Sequence, residues 1–402
     1  MKNSKFSIRD KLVYLLLVFF IISSVASYTE IGGPMKIIKN IFEILIIIVT
    51  ISKVKIDKFN WITPLVIMLL IYPIIFVGLG VYKLYPKQIF MYVGMLALNL
   101  VFYVVLAEYF HDKFEIFIYI WQVSLFSILT ILLVIYRGIS LNIPYMLRSI
   151  ITNDRYGSDL LVQRYGMGFN NVNQLALFSA LLMVCALYFI AIKKHNFFSF
   201  ACLIMSFIFI CNSESRAPFV ALGVAVLALV AFKLKNNFLE NSIYIFIFSC
   251  LIIFGLFFSY YAIKGISLSK IYQELNTVSS MRLYFSSQAL AFSELSGTLW
   301  MGIGPVSTSF ITKNIFGGTI TLDSSLGYTL FSFGIIGTII IFSILIYYIF
   351  LIRKQRTIIY FITFFITYTM FENALFIPSS LLSCFGCIIL FVALRRKVDF
   401  IE

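Results

Sequence analysis

The sequence predicts an all-α, polytopic integral membrane protein with about twelve transmembrane helices. Three observations lead there. Of the 402 residues, 61% are hydrophobic and 12% are charged, against roughly 25% charged in a soluble domain. Apolar runs close to the roughly 20 residues that cross a bilayer recur along the whole chain. Basic residues concentrate in the short segments between alternate runs, the pattern of a chain oriented by its positive charge.

Taken in order, the runs fall at about 11–28, 36–52, 60–82, 88–109, 116–136, 174–192, 197–213, 217–232, 242–262, 328–352, 357–372 and 377–394. The first opens on a basic stretch and closes on Val25-Ala26-Ser27, which resembles a secretory signal; it is read here as a retained span. With the N-terminus in the cytoplasm, the short inward segments hold 18 of the 31 basic residues. They include Lys53, Lys55 and Lys58, Lys193 and Lys194, Arg353, Lys354 and Arg356, and Arg395, Arg396 and Lys397. Both termini are therefore expected in the cytoplasm, and residues 1–402 form one transmembrane domain. Two large extracytoplasmic loops remain, at about 137–173 and 263–327. The net charge of +14 fits the basic cytoplasmic segments of a membrane protein and implies no nucleic-acid partner.

The longer loop is the most informative stretch. It holds Arg282, then an aromatic and small-residue run suited to a helix lying along the membrane surface, with Phe285, Leu290, Phe292 and Leu295 in the interface. The turn Gly302-Ile303-Gly304-Pro305 follows, and Asp323-Ser324-Ser325 stands just before the tenth run. Loops beyond about 15 residues are usually functional or disordered, and the aromatic content argues for order. The loops are expected to be the working surface and the apolar runs their scaffold.

Six of the eleven arginines fall on the outer side: Arg137, Arg148, Arg155, Arg164, Arg216 and Arg282. Positive charge there runs against the topology rule and asks for another cause. The guanidinium fork binds phosphate oxygens two at a time and keeps its charge at any physiological pH. One cause is an outward anion site for a phosphate or pyrophosphate. The other is pairing with Asp154, Asp159 and Glu214, or with lipid headgroups. Arg216 lies in Ser213-Glu214-Ser215-Arg216-Ala217-Pro218, between two apolar runs with no room for a loop. An ionisable residue at that depth is a functional candidate, and Pro218 suits the first turn of the next helix. An anion beside Ser215 and Arg216 would also feel that helix dipole. A local Glu214–Arg216 pair is the simpler alternative.

The absences narrow the chemistry. His111 and His195, the two histidines, both fall on the cytoplasmic side, and the chain has no Asp-x-Asp pair and no phosphate-binding glycine loop. No metal and no cofactor are expected, and a reaction on a preactivated, membrane-held substrate fits. The cysteines Cys185, Cys202, Cys211, Cys250, Cys384 and Cys387 sit in or at the ends of apolar runs and read as small packing residues.

Four stretches carry a family resemblance. They are Arg164-Tyr165-Gly166-Met167-Gly168-Phe169-Asn170-Asn171-Val172-Asn173; Ser215-Arg216-Ala217; Arg282 with Ala289 and Met301-Gly302-Ile303-Gly304-Pro305; and Asp323-Ser324-Ser325-Leu326-Gly327, leading into Phe333-Gly334-Ile335-Ile336-Gly337. In order and topological position these resemble the O-antigen and capsular-polysaccharide repeat-unit polymerases, the Wzy type, of the O-antigen ligase and polymerase superfamily. The resemblance implies a GT-C-like membrane glycosyltransferase of the cell envelope, in the bacterial cytoplasmic membrane. Its substrates would be oligosaccharide repeat units on undecaprenyl pyrophosphate, with the lipid bilayer as surroundings and a flippase and a chain-length regulator as pathway partners. A hydroxyl of one unit attacks the anomeric carbon of the other, and lipid pyrophosphate leaves.

On that reading Arg164, Arg216 and Arg282 hold and stabilise the leaving pyrophosphate, and Arg155, Asn170, Asn173, Ser215, Gly302 and Gly304 contact substrate. The ligases resemble one another in a histidine ahead of the span after the large loop; here that place holds Asp323. The difference favours a polymerase and leaves the general base open among Asp323, Glu294 and Glu214. Asp323 also suits a plain helix N-cap. A lipid-linked oligosaccharide flippase is the other class. It should show two similar halves, which are not seen, and charged residues in its spans. Glu43 is the one carboxylate well inside a run, one helical turn from Lys39, and a local pair is expected.

Overall fold

A computed structural model describes residues 7–54, 60–136, 166–234, 282–319, 321–378 and 380–399. The ninth apolar run, Cys250, Arg137, Arg148, Arg155 and Arg164 lie outside the described residues. All regular structure among the described residues is helical, and the one β contact there is an isolated bridge between Thr29 and Phe169. The described residues are thus all-α, as expected.

The helices are α1 (Ile8–Ala26), α2 (Gly32–Thr50), α3 (Thr63–Gly78), α4 (Pro86–Phe110), α5 (Phe114–Tyr136) and α6 (Val172–Ala191). After them come α7 (Asn196–Ser213), α8 (Ala217–Leu234), α9 (Arg282–Leu295), α10 (Ser325–Ile352), α11 (Arg356–Phe371) and α12 (Leu381–Asp399). Five of these, α4, α5, α6, α7 and α10, are long and apolar enough to cross a membrane. Large apolar side chains stand exposed on them and on α2, among them Ile37, Ile48, Ile339 and Phe350, each more than half exposed. A water-facing surface seldom tolerates so much apolar area, whereas lipid accepts it. The chain is a membrane protein.

Two compact units divide the fold. The first takes Met1–Thr63, Leu96–Leu222 and Phe376–Glu402. Its centre is α6, where every residue from Leu175 to Ala186 is buried, packed against α5 and α7. α12 is buried from Leu381 to Arg395, and α1 packs on α2 and α5. At the end where α1 starts, Ser7 and Asp10 cap the helix reciprocally. Asp10 also accepts hydrogen bonds from the Lys113 ammonium at 2.9 Å and from the Tyr109 hydroxyl. Close by in sequence, Glu108 and Arg395 form a buried fork, with Nε to Oε2 at 2.6 Å and Nη2 to Oε1 at 3.4 Å. The Arg396 guanidinium donates to the His111 carbonyl at 2.6 Å.

The second unit takes Pro64–Met95 and Gly223–Leu375. The tenth run, read from hydropathy as one uninterrupted helix, is broken. Gly334 has φ 67° and ψ −173°, far from helical values, so α10 is two helices joined at a kink. The segment Leu299–Gly304 lies along the break and takes up the backbone groups it frees. Ile303 and Gly304 donate to the carbonyls of Phe331 and Ser332 at 3.1 and 2.9 Å, and Ile335 and Ile336 donate to those of Leu299 and Trp300 at 3.1 and 3.2 Å. Non-helical backbone at membrane depth survives only where protein supplies such partners.

Candidate functional site

In the second unit Asp323, Ser324 and Ser325 stand at the head of α10, and each has a distinct role. Ser324, not Asp323, is the N-cap: its Oγ accepts from the Gly327 amide at 3.0 Å. The cap expected at Asp323 is displaced by one residue, because hydroxyl and carboxylate compete for the same amide and the serine stands one position nearer. Asp323 is left exposed, accepting a hydrogen bond from the Thr321 hydroxyl at 3.1 Å. Ser325 is buried. Its Oγ accepts from the amides of Ala374 and Leu375 at 3.1 and 3.0 Å and donates to the Glu372 carbonyl at 3.3 Å. One hydroxyl therefore pins the connection after α11 to the head of α10, with Glu372 and Asn373 in that connection.

α9 docks on the same head. Ala289 and Ser293 are fully buried, and a β-carbon on Gly327 would come within 2.8 Å of the Ser286 Oγ, so glycine there admits the close approach. Farther along, Phe292, Phe316 and Phe331 form a triangle of rings with centroids 5.5–5.9 Å apart. Leu295, expected to anchor in lipid, is 89% exposed. Ser286 faces Gly327 and Phe292 faces Phe331, so α9 and this part of α10 run in the same sense. Among the described residues α9 begins at Arg282, four residues ahead of Ser286. Glu294 is exposed and lies roughly 18 Å farther along α9, at 1.5 Å per residue. It does not share Arg282's end.

Gly302 and Gly304, expected to contact substrate, lie in the segment packed along the break in α10. Both are buried, Ile303 is 1% exposed and Val306 not at all. A β-carbon on Gly302 would lie 2.3 Å from the Ser332 carbonyl oxygen, and one on Gly304 would lie 2.3 Å from Ile89. The Tyr82 hydroxyl donates to the Met301 carbonyl at 2.9 Å, and the Tyr328 hydroxyl to that of Val306 at 2.8 Å. The turn meets protein on these sides. Its glycines have positive φ, 79° and 93°, and serve the clasp around the break in α10.

In the first unit the turn Gly166–Asn170 is held against the connection between α1 and α2. The Glu30 amide donates to the Gly168 carbonyl at 3.1 Å and the Asn170 amide to that of Tyr28 at 3.0 Å. The Asn170 side-chain amide donates to the Thr29 carbonyl at 3.2 Å, so Asn170 has a clamping role here. Phe169 packs on Phe178, with centroids 5.6 Å apart. Gly168 has φ 73°, and a β-carbon there would strike the Tyr136 ring at 2.2 Å. Asn171 N-caps α6 by accepting from the Asn173 amide at 2.9 Å; Asn173 itself is half-buried in the first turn.

The turn between α7 and α8 is as tight as its sequence suggests. Glu214 takes a left-handed conformation, φ 49°, and the Arg216 carbonyl already accepts from Phe219 and Val220. Asn212, Ser213, Glu214 and Ser215 are buried, and Arg216 is half-buried. Pro218 falls in the first turn of α8. Among the described residues, no three His, Cys, Asp or Glu side chains cluster as a metal site would need.

Sequence reasoning named Ser325 without a role and overlooked Glu372 and Asn373. The signal was present: a carboxylate and a carboxamide interrupt two apolar runs that are otherwise only a few residues apart. No protein-family model matches the chain, and comparison with curated proteins finds no relative.

Proposed function

We propose that this chain is a membrane glycosyltransferase that joins lipid-pyrophosphate-linked oligosaccharide repeat units into polysaccharide. On this reading it spans the bacterial cytoplasmic membrane twelve times with both termini inside, and the head of α10 faces outward. The observation that carries it is the head of α10, on which α9 docks. Asp323 stands exposed there, relieved of capping by the neighbouring Ser324, and Arg282 lies four residues ahead of Ser286 in α9.

A cation beside a carboxylate suits the reaction. The acceptor hydroxyl oxygen bonds to the anomeric carbon, and the bond from that carbon to the pyrophosphate oxygen breaks. Asp323 takes the hydroxyl proton, and Arg282 offsets the charge growing on the departing pyrophosphate. Aspartate in place of the ligase histidine favours polymerase over ligase.

Arg282→Ala tests it. Losing one preorganised donor to the leaving group lowers the rate by about a hundred- to a thousandfold, roughly 3–4 kcal/mol. Polymer should disappear, protein level should hold, and single repeat units should accumulate on their lipid carrier at the outer face. Arg282→Lys keeps the charge without the fork and should recover only part of the rate. Arg148→Ala should keep most activity. Polymer of normal amount and length from Arg282→Ala would make the arginine structural. Repeat units trapped on the inner face would point to a flippase instead.

A further inference from the structure

We infer that Glu43 and Lys39, buried in the first unit, form a site in the membrane interior that takes up and releases a proton. The proposal is separate from the glycosyl-transfer reading and rests on other residues.

α2 is built inside out. Its outward side carries Ile37, Ile41, Ile44 and Ile48, all exposed, while its buried residues are Gly32, Lys39, Glu43, Ile46 and Thr50. Lys39 is 5% exposed and Glu43 2%. They stand four residues apart, one turn of one helix, and Lys39 acts electrostatically on Glu43. Burying such a pair strips water from both ions, and the mutual attraction offsets that only when the remaining oxygens and protons find donors and acceptors. Here they do not all do so: Oε1 of Glu43 is buried with no hydrogen-bond partner. A static structural pair would be expected to satisfy both oxygens. A carboxylate oxygen left without a donor is where a proton binds, because protonation supplies the donor and removes the buried negative charge.

The surroundings suit exchange. Tyr103 of α4 and Cys384 of α12 lie within electrostatic reach of Glu43. Cys387 is the next titratable group on α12, and Lys36 is one turn from Lys39 on α2. The Tyr103 hydroxyl donates to Asn99 Oδ1 at 3.1 Å, so a hydroxyl and a carboxamide continue the polar patch along α4. α1 also packs on α2, but its titratable groups, Arg9, Asp10, Lys11 and Tyr14, sit in its first two turns. Arg9 there bonds to the Val49 carbonyl and Ser52 at the far end of α2 from Lys39. Burial acts most on Glu43, and Lys39 is the cation that acts on it from the same helix. Protonation of Glu43 would turn a neutral pair into a net positive one on the inward face of α2. Ionisable residues placed so deep in a membrane commonly serve proton or ion movement.

A hydrophobic carbodiimide tests this on the full-length protein in detergent or native membrane, since it modifies protonated carboxyls in apolar surroundings. The readout is the modified peptide by mass spectrometry, from about pH 5 to pH 9, a range in which buried carboxyls titrate. Glu43 should be modified, at least tenfold faster at the acid end than at the alkaline end. Lys39→Met removes the cation that favours the ionised form, so modification should persist to higher pH. Glu43→Gln should abolish the label while keeping the side-chain shape. If the native protein is not labelled at Glu43 while the denatured protein is, the pair is a fixed ion pair and the proposal fails. Labelling that does not change with pH would overturn it equally, since the group would then never release its proton.

Discussion

Replacing Gly334 by alanine should cost about 5 kcal/mol, and the figure follows from where the new methyl group would go. Gly334 sits at φ 67° and ψ −173°, a region that is almost exclusively glycine's. Forcing another residue there costs of order 1–3 kcal/mol. The β-carbon would also stand 2.3 Å from the Trp300 carbonyl oxygen, 2.4 Å from the Trp300 carbonyl carbon and 2.5 Å from the Gly302 nitrogen. All three are backbone atoms, so no side chain can swing aside. The Leu299–Gly304 segment must withdraw, and its nearest bonds, Ile336 to Trp300 and Gly304 to Ser332, would part. Each buried group left without a partner costs about 1–3 kcal/mol. At about 2–4 °C per kcal/mol, the melting temperature should fall by about 10–20 °C.

Fluorescence-detected size-exclusion melting of tagged protein in detergent is a suitable assay. Gly297 supplies the control: it too has positive φ, 68°, but a β-carbon there meets nothing within 4 Å. Gly297→Ala should lose only the conformational part, about 1 kcal/mol. Gly302→Ala should resemble Gly334→Ala, and the double variant should lose little more than either, because both open the same clasp. If Gly334→Ala melts with Gly297→Ala, the clasp does not bear on stability and the reasoning is wrong.

Two further outcomes are expected. Glu108→Gln or Arg395→Met alone leaves a charge buried and should destabilise by about 3–5 kcal/mol, while Glu108→Leu with Arg395→Met should recover most of that; equal losses from the single and double variants would deny the pairing. For topology, a cysteine at exposed Ser309 should react with an impermeant thiol reagent on whole cells, and one at exposed Asn196 should react only after permeabilisation. The native Cys185, Cys202, Cys211, Cys384 and Cys387 are buried and should stay silent, with Cys250 replaced by serine beforehand. Labelling at Asn196 alone would invert the proposed orientation.

Much of this protein was legible in its sequence, for a reason particular to membranes. Lipid offers no partner for a backbone amide, so an apolar run long enough to cross must be helical, and composition alone reveals the class. Local capping and turn chemistry were legible too: Pro218 opens α8, and the Asn-rich stretch before residue 174 opens α6. Arg216 stood out because five polar residues, Asn212 to Arg216, interrupt two apolar runs. What only the tertiary structure decided involves groups far apart in the chain. Hydropathy registers side chains, not backbone conformation, so Phe333-Gly334-Ile335 reads as continuous helix although Gly334 breaks it. The partners that make the break tolerable lie some thirty residues earlier, at Leu299–Gly304. The same holds at the head of α10. Asp323, Ser324 and Ser325 look alike as polar residues before a span. Which one caps, which stays exposed and which pins residues 372–375 depends on what the fold brings to each hydroxyl and carboxylate.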